Sequence, residues 1–300
     1  MRRLRGAPLP WTTDPIISRY RFTNAYRAAD RASQFLIALQ YAGSQSEEDL
    51  FFRTTLFRIF NKIETWQALE SACDGLSWPS YRFERYGEVL THIQRCGKPI
   101  YSAAYVIPPV RMNEVRKHEN HLRLIELLMK EQVAHRLTDC RSAQDAYRLL
   151  RSFPGLGSFL AYQLLIDLNY SSLLNFSEMD FVVAGPGARD GIRKCFRAIG
   201  VTDPDIVRYM ADTQDEHFAR LGLKFDDLWG RPLQLIDCQN LFCETDKYAR
   251  VAHPELRGQL GRTRIKRTYH AGGPTQRPWF PPKWGLNTLV DEDLARRSLR

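Results

Sequence analysis

Apolar side chains recur at three- and four-residue steps along most of the chain, which is the pattern of helices with one buried face. This pattern predicts a first helix between Tyr20 and Tyr41 and a second between Glu47 and Lys62, which has a wide apolar face. Further helices are predicted over residues 64–72, 80–96, 113–136, 142–152, 158–168, 188–199, 204–221 and 238–252. The best candidate for a strand, residues 100–109, fits a loop as well. The chain is therefore predicted to be mainly α.

Proline, charge and aromatic residues divide the chain into three parts. Residues 1–18 are basic and proline-containing, which predicts an irregular N-terminal segment. Residues 19–252 carry the predicted helices and form the predicted domain. Residues 253–300 form a C-terminal extension in which no acidic residue interrupts the basic ones between residues 257 and 283. Such a segment either binds phosphates while its rings stack on bases, or packs on the surface for structural reasons.

Composition and charge narrow the class of protein. With 300 residues, 44% of them hydrophobic, the chain can bury a sizeable core. The net charge of +9 favours a polyanionic partner, nucleic acid before an acidic membrane, although a charge that serves only solubility is the alternative. No run of 18 apolar residues predicts a membrane span. The six scattered cysteines and the absence of a secretory signal predict a cytoplasmic protein of the bacterial nucleoid, or a nuclear one in a eukaryote.

Two predicted helices meet at the sequence Phe153-Pro154-Gly155-Leu156-Gly157. Glycine allows a tight turn and a close approach of a ligand to the backbone. The free amides at the start of the next helix, which begins at Ser158, suit an anion. We therefore predict that Gly155, Gly157 and Ser158 contact a DNA phosphate, with an ordinary turn between two helices as the alternative.

This hairpin resembles that of the helix-hairpin-helix DNA glycosylase superfamily, and Asp180 falls close to the essential aspartate of that superfamily. The resemblance implies a two-lobed helical domain of the helix-hairpin-helix DNA glycosylase type, with DNA in the cleft and the hairpin at residues 153–158. It also implies that Asp180 is the catalytic carboxylate. Bifunctional members carry a lysine where this chain has Phe159, which favours a monofunctional reaction. The cysteine spacing does not suit an iron–sulfur cluster, and no cofactor is predicted.

Longer segments resemble a second family. They are residues 21–31 (RFTNAYRAADR), 56–66 (LFRIFNKIETW) and 237–244 (DCQNLFCE). They look like the helical domain of 5-hydroxymethyluracil DNA kinases, which is related to the α-glutamyl/putrescinyl-thymine pyrophosphorylases. This resemblance implies a role in thymine hypermodification. The chain has no G-x-x-x-x-G-K-[ST] motif, because the glycine-rich residues 185–191 have the wrong spacing. We therefore expect it to handle the base and not to phosphorylate on its own.

Polar and aromatic side chains within these segments are candidates for a base pocket. Amide, guanidinium and aromatic groups can hold a flipped pyrimidine by its edge and its face. The predicted substrate-binding residues are Asn24, Tyr26, Arg27, Asn61, Asp237 and Asn240. The predicted DNA-binding basic residues are Arg189, Arg193, Arg264, Lys266 and Arg267. For each pocket residue a place in the core, a helix cap or a bracing network is the alternative.

The leading functional hypothesis is a monofunctional DNA glycosylase that hydrolyses the glycosidic bond of a flipped hydroxymethylated or glycosylated pyrimidine. Two alternatives are amine transfer to activated 5-hydroxymethyluracil and a non-catalytic module that recognises modified DNA. The predicted partner is double-stranded DNA with modified pyrimidines, and no protein partner or membrane is predicted. No metal site is predicted, since residues 118–121 (HENH) lack the spacing of a zinc-protease helix. Defence against phage, repair and decoration of phage DNA remain open as biological settings.

Overall fold

The structure, a computed structural model, describes residues 11–104, 107–197, 200–270 and 277–298. Within these ranges it consists of helices and loops without a β-strand, so the mainly α prediction is confirmed. The helices are α1 (Pro15–Arg19), α2 (Arg31–Tyr41), α3 (Glu47–Phe60), α4 (Ile63–Ala72), α5 (Phe83–Arg95), α6 (Lys117–Lys130), α7 (Val133–Thr138), α8 (Ala143–Arg151), α9 (Ser158–Tyr170), α10 (Pro186–Cys195), α11 (Asp203–Asp212), α12 (Gln214–Arg220), α13 (Leu235–Ala252) and α14 (Leu286–Ser298). Two short 3₁₀ turns cover Arg27–Ala29 and Pro282–Trp284.

The chain divides into two compact units. The middle unit consists of the described residues from 31 to 180, and the terminal unit consists of the described residues before 31 and after 180. None of the described helices is both long and apolar enough to cross a membrane.

The core of the middle unit is built around α3 and α9. Both helices are buried on nearly every side, as expected of helices in the centre of a domain. In α9 every residue from 160 to 170 is buried, and α9 packs on α3. Helices α2 and α6 cover α3, while α8 covers α9.

An ion pair lies inside this apolar core. The guanidinium of Arg58 on α3 bonds to the carboxylate of Asp167 on α9, and both side chains are almost completely buried. Gln40 donates from its side chain to the Asp167 carbonyl at 2.7 Å and to the Thr54 hydroxyl at 2.9 Å. The Gln40 amide nitrogen and the Arg58–Asp167 pair thus satisfy most of one another's buried polar groups, while the Gln40 side-chain oxygen has no partner among the described residues.

In the terminal unit α10 packs closely against α13 because two glycines face the neighbouring helix. A Cβ added to Gly191 would lie 1.9 Å from the Phe242 carbonyl oxygen. One added to Gly187 would lie 2.5 Å from the Cys243 sulfur. The glycine-rich sequence of residues 185–191 thus serves helix packing.

The structure corrects the first predicted helix. The α-helix begins at Arg31, and the preceding residues form extended chain and a 3₁₀ turn. The Asn24 side chain donates to the Ala29 carbonyl at 2.7 Å, so a local hydrogen bond replaces the helical one. The prediction of a helix that begins near Tyr20 and includes Asn24 and Arg27 is therefore wrong.

Other boundaries differ for equally local reasons. The predicted helix 113–136 is interrupted at Gln132, whose φ of 50° is left-handed, and this separates α6 from α7. The prediction of an irregular segment over residues 1–18 misses α1, because Asp14 accepts hydrogen bonds from the amides of Ile16 and Ile17, each at 2.8 Å. Helix α14 lies in the extension for which no helix was predicted.

Candidate functional site

The predicted hairpin connects α8 to α9, and its two glycines have different surroundings. Gly155 has a φ of 76°, and a Cβ there would lie 3.0 Å from the Cβ of Val110. Gly157 is exposed, has a φ of −64°, and a Cβ there would meet no described atom within 4 Å. Leu156 between them is buried. Gly155 therefore serves packing, while Gly157 leaves space in front of the backbone.

Gly157 is also the N-cap of α9, and as a glycine it supplies no side-chain cap. The first amides of a helix point outward and carry a partial positive charge. The geometry at Gly157 and Ser158 thus suits an approaching anion. The assignment of a DNA phosphate to it stays a prediction.

Asp180, the predicted catalytic carboxylate, lies in a turn after α9. The residue is exposed, and its amide donates to the Ser177 carbonyl at 3.2 Å. Glu178, two residues earlier, is buried. The structure therefore leaves Asp180 accessible to a ligand, and its role stays a prediction.

Three of the predicted pocket residues form one network in the terminal unit. Asp237, at the start of α13, accepts from the Arg27 amide at 2.8 Å and from the Gln234 amide at 3.0 Å. The Tyr26 hydroxyl donates to the Arg231 carbonyl at 2.6 Å. Burial raises the pKa of Tyr26 far above its usual range. These contacts hold the 3₁₀ turn against α13 and the loop before it.

The residues before that turn are bonded to two carboxylates. Asn24 is exposed, and its amide donates to Asp30 at 2.9 Å. The Thr23 amide donates to Glu244 at 3.1 Å, and Lys247 donates to the same carboxylate at 2.5 Å. Burial raises the pKa of Asp30 to about 6, although the Asn24 amide opposes this shift. The pKa of Asp30 therefore lies well above the usual range of an aspartate.

The remaining predicted pocket residues have separate surroundings. Asn61 ends α3 in the middle unit with a left-handed φ of 47° and accepts from Arg58 at 3.3 Å. Asn240 is half-buried on α13. A single pocket formed by these six residues therefore stays a prediction.

The predicted basic contacts fall into two groups. Arg189 donates to the Ala184 carbonyl at 3.1 Å, and Arg193 donates to the Gln259 side chain at 2.8 Å. Arg264, Lys266 and Arg267 are exposed on the loop after α13. The second group has its charges open to solvent.

Sequence reasoning missed two buried aspartates of the terminal unit. Asp246 on α13 accepts from Lys194 at 2.8 Å and also bonds to Arg250. Asp190 on α10 accepts from main-chain amides near residue 259. The spacing of Gly187 and Gly191 signals a close helix contact and would have marked this face of α10 as buried. In the described residues no three histidine, cysteine or acidic side chains are grouped to hold a metal ion.

Comparison with known proteins identifies the family to which the chain belongs. The family model described as "5-hmdU DNA kinase, helical domain" matches residues 1–258, and the chain belongs to this family. A curated relative, the 5-hmdU DNA kinase of Bacillus phage SP10, is 27% identical over 273 residues. The alignment covers 82% of this chain and 42% of the relative, so the chain spans less than half of that protein's length. No solved structure matches the chain.

These findings confirm the resemblance carried by the three long segments. They also show that the prediction of a DNA glycosylase, a hydrolase of the glycosidic bond, is wrong. Both the family and the relative are described as kinases, which transfer a phosphoryl group. A hairpin followed by an aspartate does not determine the chemistry, because the same fold can serve different reactions.

Proposed function

We propose that this chain acts in DNA hypermodification, where it binds DNA containing 5-hydroxymethyluracil and presents that base for phosphoryl transfer. The observation that carries the proposal is the family match over residues 1–258, supported by a relative whose name specifies 5-hmdU in DNA. The reaction is a group transfer, as in the alternative considered from the sequence, with a phosphoryl group in place of an amine. The compartment, nucleoid or nucleus, stays a prediction.

We propose that DNA recognition and nucleotide binding are carried out by different parts of the protein, and this follows from the chemistry of phosphoryl transfer. The phosphates of a nucleotide need a dedicated binding site, and these 300 residues contain no P-loop motif. The relative is more than twice as long as the stretch that this chain matches. In the proposal, a nucleotide-binding part outside these residues supplies the phosphoryl group, and this chain supplies DNA and base recognition.

The hairpin and Asp180 take roles in this proposal that do not depend on glycosidic cleavage. The open backbone at Gly157 and Ser158 binds a DNA phosphate, in a helix-hairpin-helix arrangement of the kind found in DNA glycosylases. The exposed carboxylate of Asp180 accepts a hydrogen bond from the 5-hydroxymethyl group of the extruded base. A carboxylate at the accepting hydroxyl is also what phosphoryl transfer requires.

The test is a binding comparison on two duplexes that differ only in thymine or 5-hydroxymethyluracil at one position. One additional hydrogen bond to a charged group predicts about tenfold tighter binding to the modified duplex. Equal affinity for both duplexes would overturn the substrate assignment. If this chain alone transferred labelled phosphate from ATP to the DNA, a nucleotide-binding part outside these residues would not be needed, while the substrate assignment would stand.

Asp180→Asn tests the residue assignment separately. We expect it to abolish the preference for the modified duplex while leaving affinity for the thymine duplex unchanged, because the hairpin contact is intact. A preference that survives the substitution would show that another group reads the hydroxymethyl substituent. The exposed Asp139→Asn is the charge-matched control in the same unit.

A further inference from the structure

The loop that follows α13 is attached to α10 by a buried carboxylate. Asp190 is 2% exposed and accepts from the Gln259 amide at 2.8 Å and from the Leu260 amide at 3.1 Å. A Cβ added to Gly258 would lie 2.5 Å from the Asp190 carboxyl carbon, so glycine is needed for this approach. Arg193 adds its bond to the Gln259 side chain. The beginning of the loop is thus fixed by one carboxylate with both oxygens in use.

The end of the same loop is attached to the segment before the 3₁₀ turn. The Arg21 amide donates to the Arg267 carbonyl at 3.1 Å, and the Tyr269 amide donates to the Arg19 carbonyl at 2.9 Å. These bonds surround an antiparallel bridge between Tyr20 and Thr268. The chain from Gly261 to Arg267 is therefore held at both ends.

Between the two attachments the loop presents positive charge. Arg262, Arg264, Lys266 and Arg267 are all exposed, as are Arg19 and Arg21 on the paired segment. None of the four loop side chains forms an ion pair with a described carboxylate, whereas arginines elsewhere, such as Arg123, do. The sequence has no acidic residue from 256 to 290. Cations kept together without counter-charges repel one another, and a polyanion relieves that repulsion.

We propose that the loop of residues 261–267, together with Arg19 and Arg21, is a preorganised site for the phosphate backbone of DNA. We propose further that Asp190 is the residue that positions it. This inference rests on the proposed function for the identity of the polyanion, and it adds a sequence-independent contact in the terminal unit. An acidic membrane fits less well, because residues 261–267 contain no aromatic or leucine side chain and Ile265 is half-buried, although Leu256 and Leu260 just before them are exposed.

The decisive measurement is the salt dependence of binding to an unmodified thymine duplex. Each lysine or arginine contact with a phosphate contributes about 0.9 to the slope of log affinity against log salt. The variant Arg262→Gln/Arg264→Gln/Lys266→Gln should lower that slope by about 2.7. Between about 50 and 200 mM salt, the wild type should therefore lose about 40-fold more affinity than the variant.

The matched control removes the same charge from exposed cations of the middle unit, as Arg95→Gln/Lys98→Gln/Arg111→Gln. An unchanged slope in the loop variant, or an equal drop in the control, would overturn the site. The same proteins are tested for binding to vesicles of equal parts phosphatidylserine and phosphatidylcholine. If the wild type binds them, the loop variant does not, and the salt slope of DNA binding is the same in both, the loop is a membrane site. Suppose that the wild type shows no preference for the 5-hydroxymethyluracil duplex and the loop variant still lowers the salt slope as expected. That result would count against the proposed function and not against the loop.

The positioning role of Asp190 is tested by Asp190→Asn and by Gly258→Ala, which disturbs the same contact without altering α10. Both should speed tryptic cleavage between residues 257 and 267 and weaken binding to the thymine duplex several-fold, with cleavage slowed again by saturating DNA. Two folded variants with faster cleavage and unchanged DNA affinity would show that the attachment is structural and that Asp190 does not position a DNA site.

Discussion

Both units bury an ion pair between two helices, and they differ in the other buried carboxylates that they carry. Arg58 on α3 pairs with Asp167 on α9 in the middle unit, and Lys194 on α10 pairs with Asp246 on α13 in the terminal unit. In the terminal unit Asp237 and Asp190 are buried beneath loops and accept bonds from the main chain of those loops. A carboxylate that bonds to backbone amides fixes a loop's path, while an ion pair between helices fixes their register. Two buried carboxylates, Asp237 and Asp190, thus fix the paths of loops in the terminal unit.

The largest effect is expected from breaking the ion pair of the middle unit. Arg58→Met leaves the completely buried Asp167 carboxylate without its cation and should cost about 3–5 kcal/mol of unfolding free energy. Urea denaturation followed by circular dichroism measures it.

The control is the double variant Arg58→Met/Asp167→Leu. It should recover most of the loss, since an apolar pair of similar volume suits this core. A double variant as unstable as the single one would show that the pair's hydrogen bonds, and not its unpaired charge, dominate.

The next effect is expected at the helix contact of the terminal unit. Gly191→Ala places a methyl group 1.9 Å from the Phe242 carbonyl oxygen, so α10 and α13 must separate, at a cost of about 3 kcal/mol. Gly87→Ala in α5 is the matched control, because its nearest neighbour would be 3.9 Å away. Alanine's better helix propensity should stabilise that variant by about 0.5–1 kcal/mol. Equal effects on the thermal midpoint would contradict the packing role of Gly191.

A smaller effect concerns pH. Because the pKa of Asp30 is raised to about 6, the folded protein binds its proton more strongly than the unfolded chain does. The contribution of this proton to the free energy of unfolding is present in full below about pH 4 and is lost as the pH rises towards 6. Asp30→Asn should remove this slope and make the protein about 1–2 kcal/mol more stable at pH 7. Asp74→Asn controls for the lost charge, and parallel slopes for wild type and Asp30→Asn would refute the assignment.

Sequence patterns predicted the helices of the middle unit well, because α3 and α9 carry continuous apolar faces and α3 has a polar cap. They failed where a single residue determines the local backbone conformation. Asn24 bends the chain onto Ala29, and the left-handed Gln132 ends a helix that the apolar pattern would continue. They also failed for the site, because Asp190 contacts a loop 69 residues later in the chain, and no local pattern encodes that pairing.

The hairpin offers the last comparison, because one of its two glycines serves packing and the other, beyond Leu156, is expected to serve binding with no effect on stability. Gly155→Ala forces a left-handed φ of 76° on alanine and crowds Val110, so it should cost about 1–2 kcal/mol of stability. Gly157→Ala meets no described atom within 4 Å and should leave the thermal midpoint unchanged. If a phosphate approaches this backbone, the new methyl group obstructs it, and affinity for the thymine duplex should fall about threefold to tenfold. The salt slope should stay near the wild-type value, since no cation is lost, and this separates the hairpin contact from that of the basic loop. Unchanged affinity of Gly157→Ala would remove the hairpin from the DNA interface and leave the terminal unit's loop as the remaining candidate for the backbone contact.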